Sequence, residues 1–198
     1  MKKTFLIPLS ILFISLPTVA QKGISRFGIQ GGYARFPEMG APNGISAGIE
    51  YNYYVKDRIF VFGSFLTALN NGHWTTTVGR TGHFRDFRLH NEEQAYMMAF
   101  GLGGDLLQYK RHRIYMQGGL GIGSSHREKE RYNAIRKGDT FEYVSITDIS
   151  DITRFAIQTT AGYEYQINHW LGLGVNYTGM FVGQNFISSV NLKTIWTF

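Results

Sequence analysis

The residues between 189 and 198 alternate between polar and apolar side chains, and the chain ends on an aromatic residue. Alternation with a period of two places successive residues on opposite faces of a β-strand. The apolar face ends with Trp196 and Phe198, and only Thr194 and Ile195 depart from the pattern. Outward apolar side chains belong on a strand that faces lipid hydrocarbon. The C-terminus therefore predicts one strand of a transmembrane β-barrel.

The first 20 residues are organised like a secretory signal peptide. Two lysines are followed by an apolar segment at residues 5–16, and residues 18–20 offer a small-residue cleavage site. We expect residues 1–20 to be cleaved and residues 21–198 to form one domain. The absence of Cys excludes disulfides and a lipid anchor on an acylated cysteine. No later segment approaches the roughly 18 apolar residues that a membrane-spanning helix needs.

The composition fits a barrel better than a helical membrane protein. Glycine occurs 24 times in 198 residues and aromatic residues make up 15%, while the mean hydropathy is −0.16. An alternating barrel has a mean hydropathy near zero because half of each strand is polar or small. The net charge is +6, and without the two leader lysines it is +4. We do not interpret this mild excess as a nucleic-acid signal.

Eight segments of the mature chain show strand alternation, and their connections alternate in length. Short turns and longer loops in alternation are typical of outer-membrane barrels, with the short turns in the periplasm. We therefore predict an all-β fold: a transmembrane, antiparallel up-and-down β-barrel of eight strands, with both termini periplasmic. A soluble lipocalin-like barrel is the weaker alternative. The segments are residues 26–33, 45–53, 59–69, 96–106, 114–122, 154–167, 171–181 and 190–198, and the third has no clear facing because both parities are apolar.

Over its mature length the chain resembles the small eight-stranded outer-membrane barrels of the OmpA/OmpX type. Gln21, directly after the cleavage site, and the loop pattern are similar to those of the small outer-membrane barrel domains of Bacteroidetes-type bacteria. The resemblance implies an integral, monomeric protein of the Gram-negative outer membrane. It further implies contact with lipid and lipopolysaccharide, and a C-terminal assembly signal at Trp196 and Phe198 that the barrel-assembly machinery reads.

Four charged residues are predicted to face the inside of the barrel near its periplasmic end. They are Arg26, Glu50, Glu164 and Lys193. An eight-stranded barrel has an interior just wide enough for its own side chains, and buried charges have to be paired. We expect an ion-pair network that plugs the lumen. The network is interpreted as a structural plug, with a gate that opens by exchange of partners as the alternative.

The two longest connections, residues 70–92 and 124–151, are predicted to be external loops. Basic residues in them are candidates for contact with lipopolysaccharide phosphates, although a solvated loop with balanced charges is the simpler explanation. The histidines of the first loop fit no standard metal site. Residues 74–78 and 84–89 could pair and extend the sheet, which would offer an edge to a protein partner. The basic residues that are candidates for contact with lipopolysaccharide phosphates are Arg80, Arg85, Arg88, Arg127, Lys129 and Arg131.

Enzymatic function is not predicted, and neither is a cofactor. The lipid A deacylase barrels have a His followed two residues later by Ser, whereas the nearest combination here, at residues 124–126, runs in the opposite order. The glycine run at residues 118–123 matches no nucleotide-binding pattern. We expect a structural or surface-interaction role carried by the external loops. A narrow gated channel is the alternative, and a lipid A-modifying enzyme comes third.

Overall fold

A computed structural model describes residues 22–37, 43–80, 83–137 and 140–198. The predicted leader, residues 1–20, lies outside them. The described part of the chain consists of eight strands, and it contains no helix long and apolar enough to cross a membrane. The strands are β1 (Ser25–Arg35), β2 (Asn43–Lys56), β3 (Ile59–Arg80), β4 (His83–Tyr109), β5 (His112–Lys137), β6 (Thr140–Gln166), β7 (Leu171–Val182) and β8 (Asn185–Thr197).

The strands form a closed ring in sequence order. Each strand pairs antiparallel with the next, and β8 pairs with β1 from Arg26↔Thr197 to Arg35↔Ser188. A closed ring leaves no unpaired edge around the barrel wall. The prediction of an all-β barrel with eight antiparallel strands is confirmed.

The two ends of the barrel differ. At one end, which we call the short-turn end, lie the start of β1, the end of β8 and the tight turns after β2, β4 and β6. At the other, the hairpin end, β3–β4 and β5–β6 continue far beyond their neighbours. Pairing of β2 with β3 stops at Ile45↔Leu69, and pairing of β6 with β7 stops at Ala156↔Val182. The assignment of the short-turn end to the periplasm stays a prediction.

The outer wall of the barrel is apolar over its whole circumference. Aliphatic side chains such as Ile49, Leu120 and Leu192 are exposed on it. Exposed aromatic side chains border this band at two levels, which suits a bilayer with an interface on each side. Those towards the short-turn end are Tyr51, Tyr53, Tyr163, Tyr165, Trp170 and Phe198; those towards the hairpin end are Tyr33, Tyr96, Phe155, Tyr177 and Phe181.

The third strand, whose facing the sequence leaves open, is apolar on both faces. Phe60 and Phe62 are 0% and 3% exposed and face the lumen, whereas Val61 and Phe65 are 38% and 40% exposed and face outward. The alternation is hidden in the sequence because this part of the lumen is filled by aromatic rings.

The prediction of two long loops at residues 70–92 and 124–151 is wrong. Most of these residues belong to strands β3 to β6. β5 and β6 stay paired as far as Lys137↔Thr140. Trp74 is in register with Leu89, which confirms the suggested pairing of residues 74–78 with 84–89. Alternation gives no signal here because neither face of a hairpin beyond the barrel has to be apolar. Backbone hydrogen bonds and cross-strand polar pairs are sufficient.

Close packing in the lumen leaves no space for a larger side chain at specific glycines. A Cβ atom added to Gly162 would lie 2.5 to 2.7 Å from ring atoms and the hydroxyl of Tyr115. Tyr115 is itself fully buried, so the ring has no free space into which it can move. At Gly118, the nearest atom to an added Cβ lies 3.9 Å away.

We expect Gly162→Val to lower the free energy of unfolding by about 1–3 kcal/mol, the usual cost of overpacking a core. Gly118→Val is the matched control and should change it by less than about 0.5 kcal/mol. Urea unfolding of the refolded protein in detergent measures both values. Equal effects of the two substitutions would contradict the tight lumen described above.

Candidate functional site

A layer of six charged side chains fills the lumen near the short-turn end. It holds three cations and three carboxylates, so its formal charge is zero, and every member is less than 10% exposed. The members are Arg26, Arg113, Lys193, Glu50, Asp105 and Glu164. Buried charges are tolerated only when each is paired, and the composition of this layer meets that condition.

Glu164 is the hub of the layer. Its Oε2 accepts hydrogen bonds from Arg26 Nη1 at 3.0 Å and from Arg113 Nη1 at 2.5 Å, and its Oε1 accepts one from Lys193 Nζ at 3.2 Å. One carboxylate therefore holds three cations that come from three different strands. β1, β5 and β8 are linked through β6 across the lumen.

The other two carboxylates complete the neutralisation. Glu50 accepts from Lys193 Nζ at 2.6 Å and from the amide groups of Asn52 and Gln117 at 2.8 and 2.6 Å. Asp105 accepts from Arg113 Nε at 2.6 Å. The second oxygen of Asp105 accepts from the Tyr54 hydroxyl. Both oxygens of each of the three carboxylates thus receive a hydrogen bond, which offsets the loss of hydration.

Aromatic rings surround the cations. The Arg113 guanidinium lies 4.4 Å from the centroid of the Tyr115 ring, 5.0 Å from that of Phe60 and 5.6 Å from that of Tyr54. The Tyr54 hydroxyl donates to Asp105 at 2.9 Å. Ring faces attract cations in a desolvated site. The rings therefore supply electrostatic support as well as volume, and they leave little space for water.

The structure brings the four sequence-predicted lumen residues together and adds two more. Arg26, Glu50, Glu164 and Lys193 form one connected network, in which Arg113 and Asp105 also take part. Both additional residues have inward parity on their strands. Arg113 is hard to recognise because it follows Lys110, Arg111 and His112 at a turn, where basic residues suggest solvent exposure.

Above the charged layer the lumen changes character twice. A neutral polar layer comes first, in which Gln158 accepts from Ser64 at 2.5 Å and Asn191 donates to Asn176 at 2.9 Å. At the hairpin end an apolar layer follows, and all of its members are at most 2% exposed. They are Ala34, Phe36, Leu66, Ala68, Ala95, Met97, Ala156, Met180, Val182 and Ile187.

The predicted basic contacts lie on the hairpins. The side chains of Arg80, Arg85 and Arg88 fall outside the described part of the structure. Arg127 donates to Glu93 at 2.9 Å, and Arg131 forms an ion pair with Asp148. Lys129 lies on β5 in register with Asp148. Two of the three described residues are therefore engaged by carboxylates of the protein itself.

His126 lies on β5 between two carboxylates. Its Nδ1 is 2.5 Å from Asp151 and its Nε2 is 3.4 Å from Glu128. The hydrogen bond to Asp151 raises the pKa of His126 above its usual 6.5. Since both ring nitrogens face carboxylates, neither is placed to take a proton from Ser124, whose hydroxyl instead accepts from Thr153 at 3.1 Å.

Metal chemistry finds no support in the described side chains. Among them no group of three or more His, Asp or Glu is arranged to hold a metal ion. His73 and His83 have side chains outside the described set, and His90 lies 3.8 Å from Glu92.

Removal of the Glu164 carboxylate should strongly destabilise the barrel. Glu164→Ala leaves three buried cations short of one partner, and loss of one member of a buried ion pair typically costs about 3–5 kcal/mol. The control is Glu142→Gln, which breaks an exposed ion pair with Lys137 and should cost less than about 1 kcal/mol. The measurement is urea unfolding in detergent. A loss below about 1 kcal/mol for Glu164→Ala would contradict a paired, desolvated layer.

Comparisons with known proteins give similarity in structure but not in sequence. No protein-family model matches the chain, and no curated protein matches it. Ail, the attachment invasion locus protein of Yersinia pestis, superposes with a TM-score of 0.56 at 14% identity, covering 89% of this chain and 99% of Ail. Ail in complex with the heparin analogue sucrose octasulfate gives 0.53 at 14% identity with the same coverage.

A second similar structure is Neisserial surface protein A, with a TM-score of 0.56 at 10% identity, covering 88% of this chain and 96% of that protein. Identities this low carry no information about activity or partners, because one fold serves many functions. The agreement extends over nearly the whole of each chain, and it matches the closed ring of eight strands described above. The chain therefore has the fold of the small outer-membrane β-barrels.

Proposed function

We propose that this protein is an integral outer-membrane barrel with a plugged lumen. We further propose that it acts through the β3–β4 and β5–β6 hairpins, which project from the hairpin end towards the outside of the cell. The observation that carries the proposal is the difference in strand length. β1, β2, β7 and β8 have 11 to 14 residues, whereas β3 to β6 have 22 to 27. A tilted strand crosses a bilayer with about 9–11 residues. Four strands thus suit the membrane alone, and four extend well beyond it.

The hairpins offer the kind of surface that binds protein. In the described part of the chain, β6 pairs only with β5 over residues 140–154, because Phe155 accepts a hydrogen bond from Gly183 N and pairing with β7 begins at Ala156. A free strand edge can accept an added strand from a partner. Ile146 and Ile149 on this segment are 42% and 62% exposed, and they provide apolar contacts beside the edge.

A polyanionic partner is less favoured. Residues 126–153 of the β5–β6 hairpin contain five Lys and Arg against six Asp and Glu. Arg127 and Arg131 are also paired within the protein. The complex of Ail with a heparin analogue is therefore no argument that this hairpin binds a polyanion. Contact of its basic residues with lipopolysaccharide phosphates stays a prediction, which the internal pairing weakens.

The lumen favours a plug over the gated channel. Exchange of partners around Glu164 would leave at least one buried cation without a carboxylate, at a cost of several kcal/mol. The apolar layer lies across the lumen at the other end, and rearrangement of the charges does not open it. Two independent barriers therefore separate the ends of the barrel.

Surface labelling tests the membrane topology that the proposal requires. The chain has no Cys, so a single introduced thiol gives an unambiguous signal. We expect Thr147→Cys, on the β5–β6 hairpin, to react with a membrane-impermeant maleimide on intact cells. Lys56→Cys, an exposed position at the short-turn end, is the matched control and should react only after the outer membrane is permeabilised. The reverse pattern would place the hairpins in the periplasm and overturn the proposal.

Planar-bilayer recording tests the plug. The refolded wild-type protein should give no discrete conductance steps, because the charged and apolar layers both obstruct the lumen. Glu164→Gln should also be silent, since the apolar layer stays in place. A porin recorded in the same membrane serves as the positive control. Reproducible steps from the wild-type protein would favour the channel instead.

A further inference from the structure

A cavity of about 190 Å³ opens at the short-turn end of the barrel, directly below the charged layer. It is separate from the hairpins and from the free edge of β6. A water molecule occupies roughly 30 Å³ in the liquid, so the cavity holds on the order of six waters or a small ligand with part of its hydration. The ionisable side chains that line it are Arg26, Lys110, Arg111, His112, Arg113, Glu164 and His169.

The lining is strongly cationic. Among the described residues it contains three arginines, one lysine and two histidines, with Glu164 as the one carboxylate. That carboxylate already accepts hydrogen bonds from Arg26, Arg113 and Lys193. Glu164 therefore cannot also neutralise Lys110 and Arg111 at the rim. The rim retains an excess of positive charge that the protein does not balance within the cavity.

The buried arginines of the lining keep unused hydrogen-bonding capacity. Arg26 and Arg113 are 7% and 3% exposed, and Arg26 Nε and Arg113 Nη2 have no hydrogen-bond acceptor among the described residues. Buried polar groups normally have partners. Guanidinium groups bind tetrahedral and planar oxyanions through several parallel N–H donors.

The turn that forms the rim has an unusual sequence. Two-residue hairpin turns favour Asn and Gly because a positive φ is required. Here Lys110 adopts a φ of 53°, and Arg111 completes the turn between Tyr109 and His112. A long cationic side chain in this conformation is uncommon. The turn therefore carries two cations, one of them at a position where backbone geometry alone would favour Asn or Gly.

We infer that this cavity is an anion site for a phosphate group, bound between the rim residues Lys110 and Arg111 and the arginines of the charged layer. A phosphate dianion matches the excess positive charge of the rim and the number of donors. The ligand is either a soluble phosphate compound or the phosphate of a lipid headgroup that folds over the mouth of the barrel.

The site is tested with the full chain, folded in a neutral detergent and titrated calorimetrically with inorganic phosphate. We expect saturable binding that the double substitution Lys110→Gln/Arg111→Gln weakens at least ten-fold. The matched control is Lys22→Gln/Lys56→Gln, which removes the same charge from exposed positions that do not line the cavity. It should weaken binding less than about two-fold, since neither side chain lines the cavity and charges exposed to solvent are screened by salt.

The same titration in phospholipid nanodiscs distinguishes the two sources of phosphate. Binding of inorganic phosphate that persists in nanodiscs indicates a soluble ligand. Binding that is present in detergent and lost in nanodiscs indicates that lipid headgroups occupy the site. Equal weakening by the two double substitutions, or no saturable binding in detergent, overturns the inference. All four substituted positions are exposed, and an unchanged β-sheet circular dichroism signal verifies that each variant is folded.

Discussion

The pairing of β1 with β8 is the constraint on which the rest of the structure depends. It closes the ring, and closure divides all side chains of the wall into an outward and an inward set. It also brings Arg26 and Lys193, which are far apart in sequence, onto adjacent strands. With eight strands the interior is only wide enough for side chains. Any charge on the inward set is therefore desolvated and has to find its partner among the other inward residues.

Charge neutrality of the lumen follows from this geometry. Three cations and three carboxylates share one layer, and Glu164 contacts all three cations. Such a network is typically no more stabilising than a well-packed apolar core of the same volume, because the cost of desolvating the charges offsets their attraction. Its effect is instead on specificity. A shift in the register of β6 by one residue would turn Glu164 towards lipid and leave Arg26, Arg113 and Lys193 without their common partner.

Parity explains how much of this was predictable. The alternation of β1, β2, β6 and β8 is regular, so the inward positions of Arg26, Glu50, Glu164 and Lys193 could be read from the sequence. Arg113 could not, because a turn with a run of basic residues hides its parity.

The apolar layer of the lumen could not be predicted for a different reason. Inward residues such as Met97 and Ile187 resemble lipid-facing ones in the sequence, and only the register shows which face they occupy. The β5–β6 hairpin gives no periodic signal, because neither face of a hairpin beyond the barrel wall has to be apolar.

The hairpins and the barrel wall are stabilised by different interactions. In the wall, each side chain faces either outward or into the filled lumen, and each of these environments restricts which residues are suitable. Beyond the wall, the β5–β6 hairpin relies on its backbone ladder and on cross-strand pairs such as Arg131–Asp148 and Lys137–Glu142. Exposed pairs of this kind contribute about 0–1 kcal/mol each. Folding of the barrel thus places few demands on the residues near the hairpin tip, and their identities are free to serve recognition. Binding of a strand along β6 would in turn supply the lateral hydrogen bonds that the hairpin lacks, so partner binding and ordering of the hairpin are expected to be coupled.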